Sequence, residues 1–373
     1  MKILKIPKDH LDLFVSVLPA FGELYAPVRR GKGHAFDRPA LWSEVDLSYA
    51  RTILPPRKFF LPPREATFRF DPKTGYHGLL AEAATPRVLF GVHAYDIYGL
   101  NILDRVFAQG RFADPYYVTR RRHTAIIGVD FDPDDAHFAS SMNADAVDTG
   151  FDLFLSDLGE EYLVLVGTSR GHDMVTMSGC LLADPTPADF AEYKRRSSLR
   201  RAAYRTRVEL NDLAEILEIE YRSQVWEDLG ERCLSCGACS HVCPTCYCFD
   251  VADEVDLGSR SGQRVRTWDS CLFKMHAAVA GGENFRHTRA SRIKFRFYHK
   301  QRGFVAEYGR PSCVGCGRCS VSCPAGIDIT TVIRMIRGQT DAHDDRADLA
   351  GSRDGESVPP APRPDLAHPA DGA

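Results

Sequence analysis

Residues 233–244 read CLSCGACSHVCP and residues 313–324 read CVGCGRCSVSCP. The two stretches agree at 7 of 12 positions and share the spacing Cys-x2-Cys-x2-Cys-x3-Cys-Pro, which makes them an internal repeat. Three thiolates two residues apart on a tight loop suit three corners of a cuboidal 4Fe-4S cluster, with backbone N–H groups of the same loop turned toward the sulfurs. Gly237 and Gly317 let the backbone come that close.

The fourth cysteine of each copy lies one helical turn on, before proline, and points away from its own loop. In two-cluster ferredoxins that cysteine completes the other cluster. The crossed pattern groups Cys233, Cys236, Cys239 and Cys323 for one cluster, and Cys313, Cys316, Cys319 and Cys243 for the other. Zinc is the rival reading of Cys-x2-Cys pairs, but a zinc site needs two such pairs. The third cysteine, the Cys-Pro ending and the duplication would be redundant for it, so two 4Fe-4S clusters are expected.

Between Cys243 and Cys313 lie 69 residues that contain Cys246, Cys248 and Cys271, in CPTCYC and WDSC. These three thiols have open roles. They serve a third iron-sulfur site with a non-cysteine ligand, replace one of the crossed ligands, or pack as small buried hydrophobes. Cys180, in VTMSGCLL, is expected to be a core thiol, and His241 a surface histidine beside a cluster.

Outside this region the chain is ordinary. Its 373 residues are 44% apolar and 26% charged with a net charge of -3, which excludes a mainly disordered chain and a polycationic nucleic-acid binder. Eleven of the 12 cysteines fall between Cys233 and Cys323. The N-terminus, MKILKIPKDHLDLF, meets Asp9 and Asp12 before any signal-like apolar run forms, and no stretch approaches the ~20 apolar residues of a membrane span. A reducing cytoplasm, metal-binding cysteines and no membrane are therefore expected.

Up to residue 184, short apolar runs alternate with turn residues. ILPPRKFFLPP, ATFRF, RVLFGV, HTAIIGVDF and YLVLVGT read as strands, and Tyr95 to Gln109 reads as a helix that stops at Gly110. Thr186, Pro187 and Asp189 then make a helix start, and helical spacing continues to about Asp228, as two helices or one bent one. The expected fold is thus an α+β or α/β N-terminal docking domain (1–184), a helical connector (185–230), and a ferredoxin-like dicluster domain (231–337) with an insertion at 245–310. A disordered acidic tail (338–373) would follow, since eight acids face three arginines from Thr340 on.

The insertion ends in RHTRASRIKFRFYHKQR, residues 286–302, with seven Arg or Lys and no acid. Cations beside negatively charged clusters raise their potential or steer an acidic partner, and this role is preferred to nucleic-acid binding. No Gly-x-Gly-x-x-Gly or Walker sequence marks a nucleotide site. His93, Asp96, Asp104 and His123 are the only polar residues that suggest an acid/base site, and they read better as structural. No catalytic residue is assigned.

CLSCGACSHVCPTCYCFDV, WDSC and CVGCGRCSVSCPAGIDI together resemble the iron-sulfur electron-transfer subunits typified by the sulfhydrogenase beta subunit and the A subunit of anaerobic sulfite reductase. ILPPRKFFLPPREATFRF, FGVHAYDIYGLNILDRVF, DPYYVTRRR and FDLFLSDLGEEYLVLVGT extend the similarity over roughly residues 50–335. The resemblance implies a relay between two partners. One is a flavin subunit that carries FAD and oxidises NAD(P)H; the other is a catalytic subunit of hydrogenase or sulfite reductase type. Two departures stand out. The family often has Arg-Pro-Cys-Asp where this chain has His93-Ala94-Tyr95-Asp96, and cysteines near the position of Ser140 and Ser141. The alternatives from other classes are a self-contained reductase with a site in residues 1–184, and an iron-sulfur redox sensor that binds nucleic acid.

Overall fold

The computed structural model describes residues 2–339, so the stretch expected to be an acidic tail lies, from Thr340 on, outside the described residues. The first part of the chain supplies strands β1 (Lys2–Pro7), β2 (Glu23–Arg30), β3 (Gly33–Asp37), β4 (Arg64–Asp71), β5 (Gly75–Gly78), β6 (Arg87–His93), β7 (Thr124–Val129), β8 (Leu153–Asp157) and β9 (Glu161–Val166). Two more, β10 (Phe249–Val255) and β11 (Gly262–Trp268), follow the first cysteine motif.

Seven strands form one sheet in the order β1-β9-β8-β7-β6-β2-β3. Its centre, β2-β6-β7-β8, is parallel, and both edges are antiparallel. The central strands are apolar on both faces because both are covered. One face carries Leu11, Phe14 and Leu18 and the helix Ser169–Met177; the other packs on the helix Ala94–Phe107 through Ile97, Leu100 and Leu103. That helix follows β6 directly, so its N-terminus sits at the carboxyl end of the parallel strands. Crevices of this kind hold the ligands of open α/β sheets.

The second sheet is antiparallel, in the order β10-β11-β4-β5, and joins residues 64–78 to the region between the cysteine motifs. Buried Glu65 in β4 accepts hydrogen bonds from Arg120 and from Arg266 in β11, which ties the two regions together. The reading of ILPPRKFFLPP as a strand is corrected: it forms a turn at Pro56–Phe59, because its four prolines remove the donors a ladder needs.

Thr186 caps the helix Pro187–Ala202 as expected, with its hydroxyl accepting from the Asp189 N–H and Asp189 accepting from the Thr186 N–H. The connector then breaks into three helices rather than two, the others being Leu213–Ile219 and Val225–Arg232. Tyr204 and Val208 bury themselves in the extended stretch between the first and second, and that packing outweighs local helix preference. Among the described residues no helix is long and apolar enough to cross a membrane.

Candidate metal centre

The repeat seen in sequence is also a repeat of backbone. Gly237 and Gly317 take φ of +74° and +69°, each ahead of a four-residue helix, Ala238–His241 and Arg318–Val321. In both copies the third residue after the glycine donates to its carbonyl, at 3.0 Å from Ser240 and 3.1 Å from Ser320. The two short helices pack on one another, which brings the copies face to face.

Face-to-face packing sorts the thiols. Cys233, Cys236, Cys239 and Cys323 line one cavity, and Cys243, Cys313 and Cys316 line a second. Cys319 reaches both. The fourth cysteine of each copy thus lines the cavity that holds the other copy's first thiols. Backbone donors approach the sulfurs, from Ser235 N to Cys233 at 3.4 Å and from Ile327 N to Cys323 at 3.3 Å. Burial pushes the Cys239 and Cys316 thiols up to about 11 and Cys313 to about 12, so a metal centre must displace protons to bind there.

The strongest test of what these cavities suit is the charge around them. Helix Arg289–Tyr298 continues through a wider π turn, His299–Gly303, and places Arg292, Arg296 and Lys300 four residues apart on one buried face. Arg292 donates to Ser235 Oγ at 3.3 Å in the first loop, and Lys300 donates to Thr245 Oγ1 at 2.8 Å beside the second. Arg296 lines both cavities, and its buried Nε has no partner. Among the described residues none of the three pairs with a carboxylate. Burial opposes the charge on Arg296 and Lys300, yet the surrounding sulfurs reverse that and hold both cations protonated. Three cations buried without acids need an anion between them, and thiolate-bound iron-sulfur clusters supply one. The lining of each cavity by several cysteines, with a buried cation beside them, suits an anionic thiolate-bound cluster.

The second loop sits on the carboxyl edge of the parallel sheet. Phe138 N donates to Gly315 O at 2.9 Å, and Arg51 donates to the Cys316 carbonyl at 3.3 Å. Arg318, fully buried, donates two hydrogen bonds of 2.7 Å to Asp96 and one of 2.8 Å to Thr52 O. Neither Arg318 nor Arg57 was signalled as functional by the motif. Arg57, also buried, donates to the Cys246 and His241 carbonyls and stacks over Trp268 at 3.9 Å. The one sequence cue to Arg318 is that it replaces Ala238 of the other copy.

The acid/base candidates do not converge. Asp96 holds Arg318, Asp104 accepts from Tyr117 at 2.7 Å and pairs with Arg121, and exposed His123 bonds the Thr119 carbonyl. His93 lies stacked against Tyr49 at 3.9 Å and shares a 2.8 Å hydrogen bond with the Tyr95 hydroxyl. Ser140 is buried with its hydroxyl unpartnered, and Ser141 accepts from Val208 N. Cys180 corrects the expectation of a core thiol: Met174, Val175 and Ser178 turn inward in that segment and leave Cys180 exposed. His241 is half-buried, with its ring against Phe273 and Trp268.

Cys246, Cys248 and Cys271 do not line either cavity. Cys243 Sγ lies 3.3 Å from the Thr245 hydroxyl.

Comparison with known proteins agrees with this geometry. The family model for the 4Fe-4S dicluster domain matches residues 232–327, a span that begins and ends at the two cysteine motifs. Over 337 residues the chain is 38% identical to the sulfhydrogenase 2 subunit beta of Pyrococcus furiosus, covering 90% of this chain and 99% of that protein. Similarity of that extent takes in the α/β sheet as well as the cysteine loops, and the chain belongs to the sulfhydrogenase beta-subunit family.

Proposed function

We propose that this chain is the iron-sulfur electron-transfer subunit of a multi-subunit oxidoreductase. It relays single electrons between a flavin-containing NAD(P)H-oxidoreductase subunit and a catalytic subunit of hydrogenase or sulfite-reductase type. The observation that carries this reading is the pair of buried cations without carboxylate partners at the thiol-lined cavities, Arg296 lining both and Lys300 the second. In it, Cys233, Cys236, Cys239 and Cys323 hold one 4Fe-4S cluster, and Cys313, Cys316, Cys319 and Cys243 hold the other. When bound, such clusters exchange one electron each, and full cysteine ligation leaves substrate no open coordination position.

The chain's own residues set the conditions for that exchange. The buried cations favour the reduced, more negative state, and the N–H groups of Ser235 and Ile327 stabilise charge on the sulfurs. Arg318, Asp96 and Thr52 fix the second loop to the sheet. With Arg292, Arg296 and Lys300 turned inward, the most basic segment offers little to a phosphate backbone, which disfavours nucleic acid as a partner. We place the complex in the cytoplasm, where exposed thiol-bound iron is kept reduced.

Anoxic addition of NAD(P)H to the complex purified from its host, and to the isolated chain, tests the relay. Cluster absorbance should bleach in the complex and stay unchanged in the isolated chain. Oxidation of NAD(P)H by the isolated chain would instead establish a self-contained reductase.

A further inference from the structure

Strand β10 is an edge of the second sheet, and among the described residues no further strand pairs with it. All seven of its residues, FDVADEV, are exposed. Its pairing with β11 runs without a shift from Phe249 opposite Trp268 to Val255 opposite Gly262. Just beyond the two ends, Asp269 N donates to Cys248 O at 3.0 Å and Asp256 N donates to Ser261 O at 2.9 Å. Bonded and non-bonded pairs alternate along an antiparallel ladder. Asp250, Ala252 and Glu254 therefore direct their N–H and C=O groups at β11, whereas those of Phe249, Val251, Asp253 and Val255 point to the open edge. The same four residues share one side of the sheet, where Phe249, Val251 and Val255 are 41%, 47% and 48% exposed.

Exposed edges are ordinarily blunted by shortness, lysine, proline or a bulge. The opposite edge of this sheet, β5, has only four residues. β10 has seven, with no lysine or proline and no bulge in its pairing. Its charges are three acids, Asp250, Asp253 and Glu254, and no base. Asp253 pairs with Arg264 and Glu254 with Arg64, while Asp250 makes no ion pair among the described residues. Two copies of this edge laid antiparallel about Ala252 set Asp250 against Glu254, and laid about Asp253 they set the two Asp253 side chains face to face. Like charges directly opposite are destabilising, so the edge rejects a second copy of itself and suits a strand that carries lysine or arginine.

We propose that β10 is a docking edge for an extended, basic segment of a partner subunit, which adds to the second sheet as a fifth strand. Main-chain hydrogen bonds to Phe249, Val251, Asp253 and Val255 hold the segment, apolar side chains cover Phe249, Val251 and Val255, and a lysine or arginine meets Asp250. The hairpin that carries this edge is anchored beside the first cysteine loop. β10 starts directly after Cys248, and β11 ends two residues before Ser270, which bonds Ser240 Oγ of that loop at 2.6 Å. A partner held here is therefore tethered next to the first cluster loop. Such docking rests on the multi-subunit reading above and not on electron flow.

Hydrogen exchange read residue by residue, on the complex purified anoxically from its host and on the isolated full chain, tests the edge directly. In the isolated chain the amides of Ala252 and Glu254 should be protected, and those of Val251, Asp253 and Val255 should exchange freely. In the complex the latter three should slow by about a hundredfold or more. Val251→Pro removes an outward donor and spares the bonds to β11, so it should keep its iron while a subunit is lost from the complex. Asp250→Lys should weaken the same association, most at low salt. Fast exchange of the three outward amides in the complex would overturn the proposal, even if neither variant folds, as would full assembly of a folded Val251→Pro chain. Equal protection in the isolated chain as it dimerises would also overturn it, by making a second copy the occupant. Protected amides in a complex whose clusters NAD(P)H does not bleach would refute the relay and leave the docking edge standing.

Discussion

The Arg318 guanidinium grips the Asp96 carboxylate through two hydrogen bonds of 2.7 Å, joining residues 222 apart in sequence, both buried. Burial works against the charge on Arg318, and Asp96 more than restores it. Asp96→Ala leaves that cation unpaired in the interior and should cost about 3–5 kcal/mol. Because Arg318 belongs to the second cysteine loop, occupancy of the second cluster should fall before that of the first. Adding Arg318→Ala, which restores the alanine found in the other copy, should recover much of the lost stability. Thermal melts that show strictly additive losses would contradict this pairing.

Arg296 stands between the two cavities, so its charge acts on both centres. Arg296→Gln should lower both reduction potentials, by about 120 mV if a unit charge acts at ~6 Å with an effective dielectric constant of about 20 on a one-electron centre. Arg296→Lys should keep most of the wild-type value. EPR-monitored redox titration reads both signals, and a shift in only one would show that the side chain serves a single cluster.

Gly317 and Gly309 share a φ of +69° but not their surroundings. A Cβ on Gly317 would be driven into the Ala136 carbonyl, whereas a Cβ on Gly309 meets nothing within 4 Å. Gly309→Ala should therefore cost only the backbone strain of a left-handed residue, about 1–2 kcal/mol. Gly317→Ala should cost more and release iron from the second loop. Equal melting temperatures for the two variants would rule out the close approach of that loop to the sheet.

Asp130, at the carboxyl end of β7, pairs with Arg200 at 2.5 Å, but burial pushes its carboxyl up to about 6. The folded chain therefore holds this proton more tightly than the unfolded chain does. The resulting stabilisation is complete below the unfolded value near 4 and is lost as pH rises through 6. Between pH 5 and 7.5 the loss should be about 1–1.5 kcal/mol in denaturant melts. Asp130→Asn should remove that slope; an unchanged slope would mean the proton is held elsewhere.

The cysteine loops were legible because cluster binding fixes residue type and spacing together, which leaves few alternatives. Helix Ala94–Phe107 and the Thr186 cap were legible for a similar reason, since each is written in local periodicity or a local hydrogen bond. Long-range features were not. Nothing in RIKFRFYHK distinguishes a solvated basic helix from one that turns Arg292, Arg296 and Lys300 inward, because buried cations are rare and the sulfurs that compensate them lie on other segments. The Arg318–Asp96 pair likewise depends on the sheet edge meeting the second loop. The proline-rich segment at 53–63 carries the apolar content of a strand but lacks the N–H donors a ladder needs, and it forms a turn.

Iron and sulfide analysis with low-temperature EPR, on anoxically purified wild type, Cys243→Ala and Cys323→Ala, tests the crossed two-cluster arrangement most directly. The account predicts about eight irons in the wild type and two reduced-state signals. Cys243→Ala should lose the signal of the second loop and Cys323→Ala that of the first. A wild-type chain without iron, or losses that follow each cysteine's own loop, would contradict it.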